Sequence, residues 1–199
     1  DMLYVYRVGD GSKHWSEWIQ FRTAKSAYAP VQFVYFGDAQ NDILDHWSRV
    51  IRMAYQTAPN ASFAIHAGDL VNTAHRDHEW AQWFKAGGFL HSQWTAVPAV
   101  GNHEFSPLGR IPVGKKRVSI QWRPQFTLPV EKSLDPELHE TVYSVDYQDV
   151  RIIVLNSNDN LEQQTKYLET QLKNCTAKWK IVTCHHSVFS PARGRDFKF

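Results

Sequence analysis

This chain has little of what would place it quickly in a specialised class. Of its 199 residues only two are cysteine, Cys175 and Cys184, on either side of a predicted strand over Lys178–Thr183. At about 3.3 Å per residue such a strand separates its ends by roughly 20 Å. A disulfide needs Cα atoms within roughly 7 Å, so the two do not pair with each other and leave the compartment open. The formal net charge is +2, too small to point to nucleic acid or a membrane surface as partner. No apolar run approaches the roughly 18 residues of a membrane span. There is no internal repeat, no low-complexity tract and no signal peptide; Asp1-Met2-Leu3-Tyr4 is not a natural start, so targeting is left open too. Asn60-Ala61-Ser62 and Asn174-Cys175-Thr176 match the glycosylation sequon, a pattern common by chance.

What is present is a core. With 43% hydrophobic and 21% charged residues the chain is globular rather than disordered, and eight Trp and eleven Phe can fill its interior. The length allows one ordinary domain, or one domain plus a piece of another. Leu3–Val8 and Trp18–Arg22 read as strands around a Gly9-Asp10-Gly11-Ser12 turn. A lone hairpin is not independently stable, so this one must pack on something. Thr23–Pro30 reads as a linker. An alternation of strands and helices follows. Strands are predicted over Gln32–Phe36, Ser62–Ala67 and Thr95–Val100. A helix over Ile43–Thr57, started by Asn41 or Asp42, carries a stripe of Ile43, Trp47, Val50, Ile51 and Ala54. A second, Asp77–Leu90, turns Trp80, Trp83 and Phe84 inward. Phe105–Glu140 is a long, Pro-punctuated, basic excursion of the kind that is usually functional or disordered. A hairpin of Thr141–Tyr147 and Val150–Asn156 turns at Gln148-Asp149, and a helix over Leu161–Lys173 leads to the strand that ends at His185. The fold class is α/β, a largely buried sheet with helices on its faces. Trp15, Trp18, Trp80 and Trp83 read as core. His14, His46, His66, His91 and His139 match no ligand spacing and read as structural or exposed, and His75 and His78 as solvated.

Three short motifs carry the chemistry. Phe36–Gln40 reads FGDAQ, Ala67–Asn72 reads AGDLVN and Gly101–Glu104 reads GNHE, each directly after an apolar run. They put Asp38, Asp69 and Asn102 at the C-terminal ends of successive strands, where open α/β sheets bind ligands. Glycine before each polar residue permits a tight turn with the backbone close by. Oxygen ligands converging on one crevice suit hard or borderline divalent metals.

With Val182-Thr183-Cys184-His185 ending a fourth strand, the ordered set resembles the calcineurin-like metallophosphoesterases and, within them, the purple acid phosphatase-like branch. That pattern runs D-x-H or D-x-Q, GDxx, GNH[DE], a strand-end His and GHxH. Four of the five blocks are present over most of Gln32–Asp196, and no His follows His186. The resemblance implies a layered sheet-and-helix metallophosphoesterase domain over residues 28–199, incomplete before its last ligand motif. It also implies that residues 1–27 are the final strands of a fibronectin-III-like domain plus a linker, the alternative being a hairpin of the catalytic domain itself. Asp69 matches the position that bridges two metal ions, of Fe, Mn or Zn. Asp38, with Gln40, would bind the first, and Asn102 and His185 the second. Hydroxide held by the two ions would attack phosphorus, with His103 at the leaving group and Asp69 as a catalytic ligand. Glu104 would orient its turn. His186, Arg193 and Arg195 would contact substrate, with His186 also able to act on the surroundings of His185. Lys115, Lys116 and Arg117 form a charge run that would either attract a phosphorylated substrate or be a solvated loop.

Two departures qualify the match. The purple enzymes have Tyr three residues after the bridging Asp; here it is Asn72, so no ferric–tyrosinate colour is expected. Gln40 stands where many relatives have His, and an amide oxygen is the weaker ligand. The resemblance therefore implies a metal-dependent hydrolase of phosphorylated small molecules, first of all a phosphomonoesterase, then a phosphodiesterase or nucleotidase. The other reading is a catalytically silent fragment or binding module. A periplasmic or extracellular location is expected from the family, with no nucleic acid partner and the oligomeric state open.

Overall fold

The computed structural model describes residues 2–106 and 117–191. Apolar runs of three to five residues build two three-stranded sheets. In the first, β3 (Val34–Phe36), β4 (Phe63–His66) and β5 (Thr95–Pro98) run parallel in the order β3-β4-β5, with Val34 opposite Ala64 and Ala64 opposite Ala96. The second has the order β10-β9-β8. There β9 (Val150–Val154) runs parallel to β10 (Trp179–Thr183) and antiparallel to β8 (Tyr143–Tyr147), and Ile152 faces both Ile181 and Val145.

Side-chain alternation along each strand decides the layering. Phe63, Ile65, Val97 and Ala99 of the first sheet pack against Tyr143, Val150, Ile152 and Val154 of the second. The Tyr143 hydroxyl donates to the Pro98 carbonyl at 2.8 Å and ties the two together. On the outer faces, Val34, Phe36 and Ala64 meet the helical layer of Trp47, Ile51, Trp80 and Trp83, while Ile153 meets Tyr167. The expected single sheet is thus two sheets face to face with helices outside both. The reason lies in β9, whose Val150, Ile152 and Val154 point one way and Ile153 the other, all buried.

The helices depart from the expected periodicity where local geometry intervenes. A π-helical turn, Ile43–Trp47, precedes α1 (Ser48–Thr57). Its wider turn aligns Ile43, Trp47 and Ile51, four residues apart, toward the core, and Val50 rotates out to solvent. The second predicted helix is broken: α2 (Asp77–Gly87) stops at Gly88, whose φ of 54° favours glycine, and α3 (Phe89–Gln93) follows. Trp80 and Trp83 are buried as expected, but Phe84 sits at the rim, edge-on to Trp83 and tilted against Phe126. α5 (Leu161–Lys173) has the expected bounds, its N-terminus capped by the Asn160 side chain.

The excursion after GNHE is partly built into this body. β6 (Phe105–Ser106) pairs antiparallel with β7 (Arg117–Val118), and α4 (Trp122–Gln125) brings Trp122 and then Phe126 against Trp80. At the N-terminus, β1 (Leu3–Tyr6) and β2 (Ile19–Arg22) form the expected hairpin. In its turn the Asp10 carboxylate accepts from the amides of Ser12, Lys13 and His14. Trp15 and Trp18 are not core. They flank the Arg7 guanidinium, 4.2 and 4.7 Å from the two ring centres, on a hairpin that is largely exposed. It touches the main body through Tyr6, whose hydroxyl donates to the Ser92 carbonyl. Both cysteines are free.

His66, at the end of β4, is fully enclosed by Phe36, Trp47, Trp83 and His91, and neither ring nitrogen has a hydrogen-bond partner among the described residues. Burial, reinforced by His91, pushes its pKa from 6.5 down to about 3, and burial takes His91 to about 4. Both folded values lie below the unfolded one. Between about pH 6.5 and 4 the unfolded chain therefore takes up protons that the native state refuses, and stability falls as pH falls, by up to about 1.4 kcal/mol per pH unit for each histidine. Other titrating groups make contributions of their own, so the test compares the unaltered protein with His66→Phe by urea unfolding at pH 7.5, 6.5 and 5.5: the stability of the variant relative to the unaltered protein should rise as pH falls.

Candidate metal centre

Because β3, β4, β5 and β10 run in parallel pairs, the turns that leave their C-terminal ends meet at one edge of the fold. Asp38 and Asp69 leave β3 and β4 in left-handed backbone, φ 51° and 53°, a costly conformation for a residue with a side chain. The turns approach so closely that glycine is required. A Cβ on Gly68 would lie 2.6 Å from the Gly101 nitrogen and 2.9 Å from the His185 Cβ. One on Gly101 would overlap Asp69 Oδ1 and sit 2.5 Å from the Asp69 nitrogen.

Glu104 holds these turns together, as expected. Its fully buried carboxylate accepts from the amides of Asp69 at 2.8 Å, Leu70 at 2.9 Å and Gly101 at 2.7 Å. Burial, aided by the charge of Asp69, pushes its pKa up to about 7 against the pull of those amide donors.

Asp38, Asp69 and His185 bring one ligand atom each to within 4.8 Å of one another, with Asp38 open to solvent and Asp69 buried. His185 Nε2 lies 3.2 Å from Asp69 Oδ2 and 3.2 Å from Asn102 Oδ1. Its Nδ1 faces the Ala67 carbonyl at 2.9 Å, which can only accept, so Nδ1 carries the proton and Nε2 is the nitrogen aimed at the cluster. Burial works against protonation there, but the hydrogen bond and charge of Asp69 outweigh it and lift His185 to about 9. Burial likewise opposes ionisation of Asp69, and the His185 bond, the His103 amide and both histidine charges hold its carboxyl below the usual range. Gln40 Nε2 donates to Asp69 Oδ2 at 3.2 Å, while its Oε1 is buried without a partner among the described residues.

These residues fit a metal ion. The donors are carboxylate, amide and imidazole atoms, the set that hard and borderline cations accept. The unpartnered Gln40 oxygen and the protonated His185 nitrogen are what a carboxylate-rich pocket shows when a proton serves where a cation would.

Around this cluster, His103 donates its amide to Asp69 Oδ1 at 2.9 Å, and its Nδ1 sits 2.6 Å from the Asn72 carbonyl. Asn72, the residue in the tyrosine position, is exposed. His186 packs its ring 5.0 Å from that of His185 and meets Ser157 rather than the cluster. Ser157 was not singled out from the sequence, although it follows the end of β9, the strand parallel to β10. Arg193, Arg195, Lys115 and Lys116 lie outside the described residues. Arg117 is exposed and pairs with Glu137 at 3.4 Å.

The family model for calcineurin-like phosphoesterases matches residues 31–199. Among curated proteins none matches. A solved structure of the purple acid phosphatase PPD1 from seeds of yellow lupin, Lupinus luteus, is similar in fold, with a TM-score of 0.71 and 20% identity. The similarity covers 96% of this chain but 37% of the lupin chain, so the sequence spans little more than a third of that protein.

Gly101→Ala should push Asp69 out of place and weaken Mn2+ or Zn2+ binding by at least about tenfold, the equivalent of about 1.4 kcal/mol. Isothermal titration, with circular dichroism to confirm folding, measures this.

Proposed function

The chain belongs to the calcineurin-like phosphoesterase family, and from that premise we propose that it hydrolyses phosphoesters at a metal centre built on Asp38, Asp69 and His185. The observation that carries the reading is the convergence of those three side chains at the C-terminal edge of parallel strands, beside an unpartnered buried Gln40 oxygen. Asp69 is the residue these donors have in common. In this reading Asp38 and Gln40 would hold one ion of Fe, Mn or Zn and Asn102 and His185 a second, with Asp69, whose Oδ2 meets both Gln40 and His185, available to either. Such cations, when bound, supply the charge that makes a water more acidic and offsets negative charge on phosphoryl oxygens.

The remaining tasks fall to the protein. Asp69 is fixed by the His103 amide and by Glu104 through its own amide, so the shared carboxylate is oriented before any ligand arrives. His103 donates Nδ1–H to the Asn72 carbonyl, which leaves Nε2, 3.9 Å from Asp69 Oδ2, to exchange a proton with the departing oxygen. His186, Arg193 and Arg195 are assigned to substrate.

The substrate class is a phosphomonoester, in keeping with an acid phosphatase-like fold, and a diester or nucleotide is the alternative. Residues 28–199 form the catalytic domain in this reading. The hairpin and linker of 1–27 are the end of a fibronectin-III-like domain, and the protein acts in the periplasm or outside the cell. A silent binding module is disfavoured by the retention of Asp38, Asp69, Asn102, His103 and His185 together.

Hydrolysis of p-nitrophenyl phosphate and of bis-p-nitrophenyl phosphate, before and after chelation and with Mn2+, Zn2+ or Fe restored, tests the reading and separates monoester from diester. Asp69→Ala should abolish cation binding and hydrolysis together; unchanged turnover in that variant would sink the proposal.

A further inference from the structure

The proposed ligands do not come from one sheet. Asp38 and Gln40 follow β3, Asp69 follows β4 and Asn102 follows β5, all in the first sheet, whereas His185 follows β10 in the second. The 3.2 Å between His185 Nε2 and Asp69 Oδ2 therefore depends on how the two sheets are held against each other. A site assembled from two layers is only as exact as the joint between them.

A tyrosine hydroxyl closes that joint at each edge. Along the edge formed by β5 and β8, Tyr143 donates to the Pro98 carbonyl. Along the opposite edge, formed by β3 and β10, the Tyr35 hydroxyl lies 2.9 Å from Thr183 Oγ1. Side-chain alternation brings these two together. Tyr35 shares a face with Phe33 and Thr183 shares one with Ile181, and both Phe33 and Ile181 pack into the core between the sheets. Tyr35 is 53% exposed and Thr183 only 2%, so the hydroxyl of an exposed ring reaches a buried partner. Among the described residues the Thr183 hydroxyl has no other partner. Each member of the pair stands just ahead of a ligand, Tyr35 in the strand that leads to Asp38 and Thr183 in the strand that leads to His185. The bond from His185 Nδ1 to the Ala67 carbonyl also joins the sheets here, but it is made by a ligand itself.

We propose that Tyr35 and Thr183 are positioning residues whose hydrogen bond fixes β10 against β3 and so sets His185 Nε2 in place relative to Asp38 and Asp69 before a cation binds. Neither is a ligand; each acts through the strand it belongs to. The proposal rests on the metal-centre reading for the cation, and on the hydrogen bond alone for the joint.

Co2+ is the probe, because its visible absorption changes with the donors around it and needs no turnover. Titration of the full chain should give the same affinity and spectrum for the unaltered protein and for Thr183→Ser, which keeps the hydroxyl. Tyr35→Phe and Thr183→Val should each weaken Co2+ binding about fivefold and alter the spectrum, short of the roughly tenfold or more lost with a group that bonds a ligand directly. The paired variant should bind no more weakly than either single one. Urea unfolding of the unaltered protein and these three variants, free of metal, reads the hydrogen bond itself. Tyr35→Phe, which strands a buried hydroxyl, should lower the midpoint more than Thr183→Val, which leaves its partner facing water, and the paired variant should recover part of the loss. Losses that simply add would overturn the link. A merely structural tie would lower the midpoints and leave Co2+ affinity and spectrum unmoved, and that result would overturn the positioning role. An unaltered protein that takes up no Co2+ would overturn the metal-centre reading and the positioning role with it, leaving the link decided by unfolding.

Discussion

The Glu104 carboxylate is the interaction on which the site depends. Buried completely and accepting from the amides of Asp69, Leu70 and Gly101, it joins the turn after β4 to the turn after β5. Those turns carry Asp69 and Asn102, and they lie too close for any side chain at Gly68 or Gly101. A buried charge is tolerated only when its lone pairs are met, and here backbone amides meet them. The left-handed backbone of Asp38 and Asp69 belongs to the same constraint. Its cost is accepted because strands, glycines and one carboxylate leave those two residues no other place.

Given that clamp, the electrostatics of the cluster follow. Asp69 is nearly sealed from water, yet it stays ionised because His185, His103 and their hydrogen bonds surround it. His185 is pulled toward protonation by the same contact. The pair is a charge arrangement in which a proton sits between one nitrogen and two oxygens, those of Asp69 and Asn102. A divalent cation in that place would satisfy all three atoms.

The sequence made the motif turns legible because each is short, local and follows a strand: FGDAQ, AGDLVN and GNHE all lie where their strands end. The order of the elements was equally plain, and α5 was read to the residue. The pairing of strands into two sheets was not, since nothing local separates a strand of one sheet from a strand of its neighbour. Only the two-sided burial of Val150, Ile152, Ile153 and Val154 does so, and that appears in three dimensions. Val50 was lost to a π-helical turn and Phe84 to the rim of α2, both cases where a regular period was assumed through an irregular backbone. Aromatic residues usually signal core, but at Trp15 and Trp18 the Arg7 guanidinium occupies the space between the rings. Ser157 carries no signature in the sequence at all; its place beside His186 comes from which strand it follows.

The two histidines that trail a ligand show how much a single partner atom decides. His103 follows Asn102 and His186 follows His185, and each turns Nδ1 toward an oxygen of a neighbouring loop. For His103 that oxygen is a carbonyl, which can only accept, so Nδ1 holds the proton and Nε2 is left basic. For His186 it is the Ser157 hydroxyl, which also accepts the His186 backbone N–H and can either give a proton to Nδ1 or take one from it. Two identical side chains at equivalent places beside the same cluster are thereby held differently, His103 in one tautomer and His186 in place but with either tautomer open to it. Phosphoester hydrolysis needs a proton delivered to the leaving oxygen, and of the two it is His103 whose carbonyl partner fixes the ring so that Nε2 can exchange one. Asn72 makes that choice through its backbone, without needing to touch substrate.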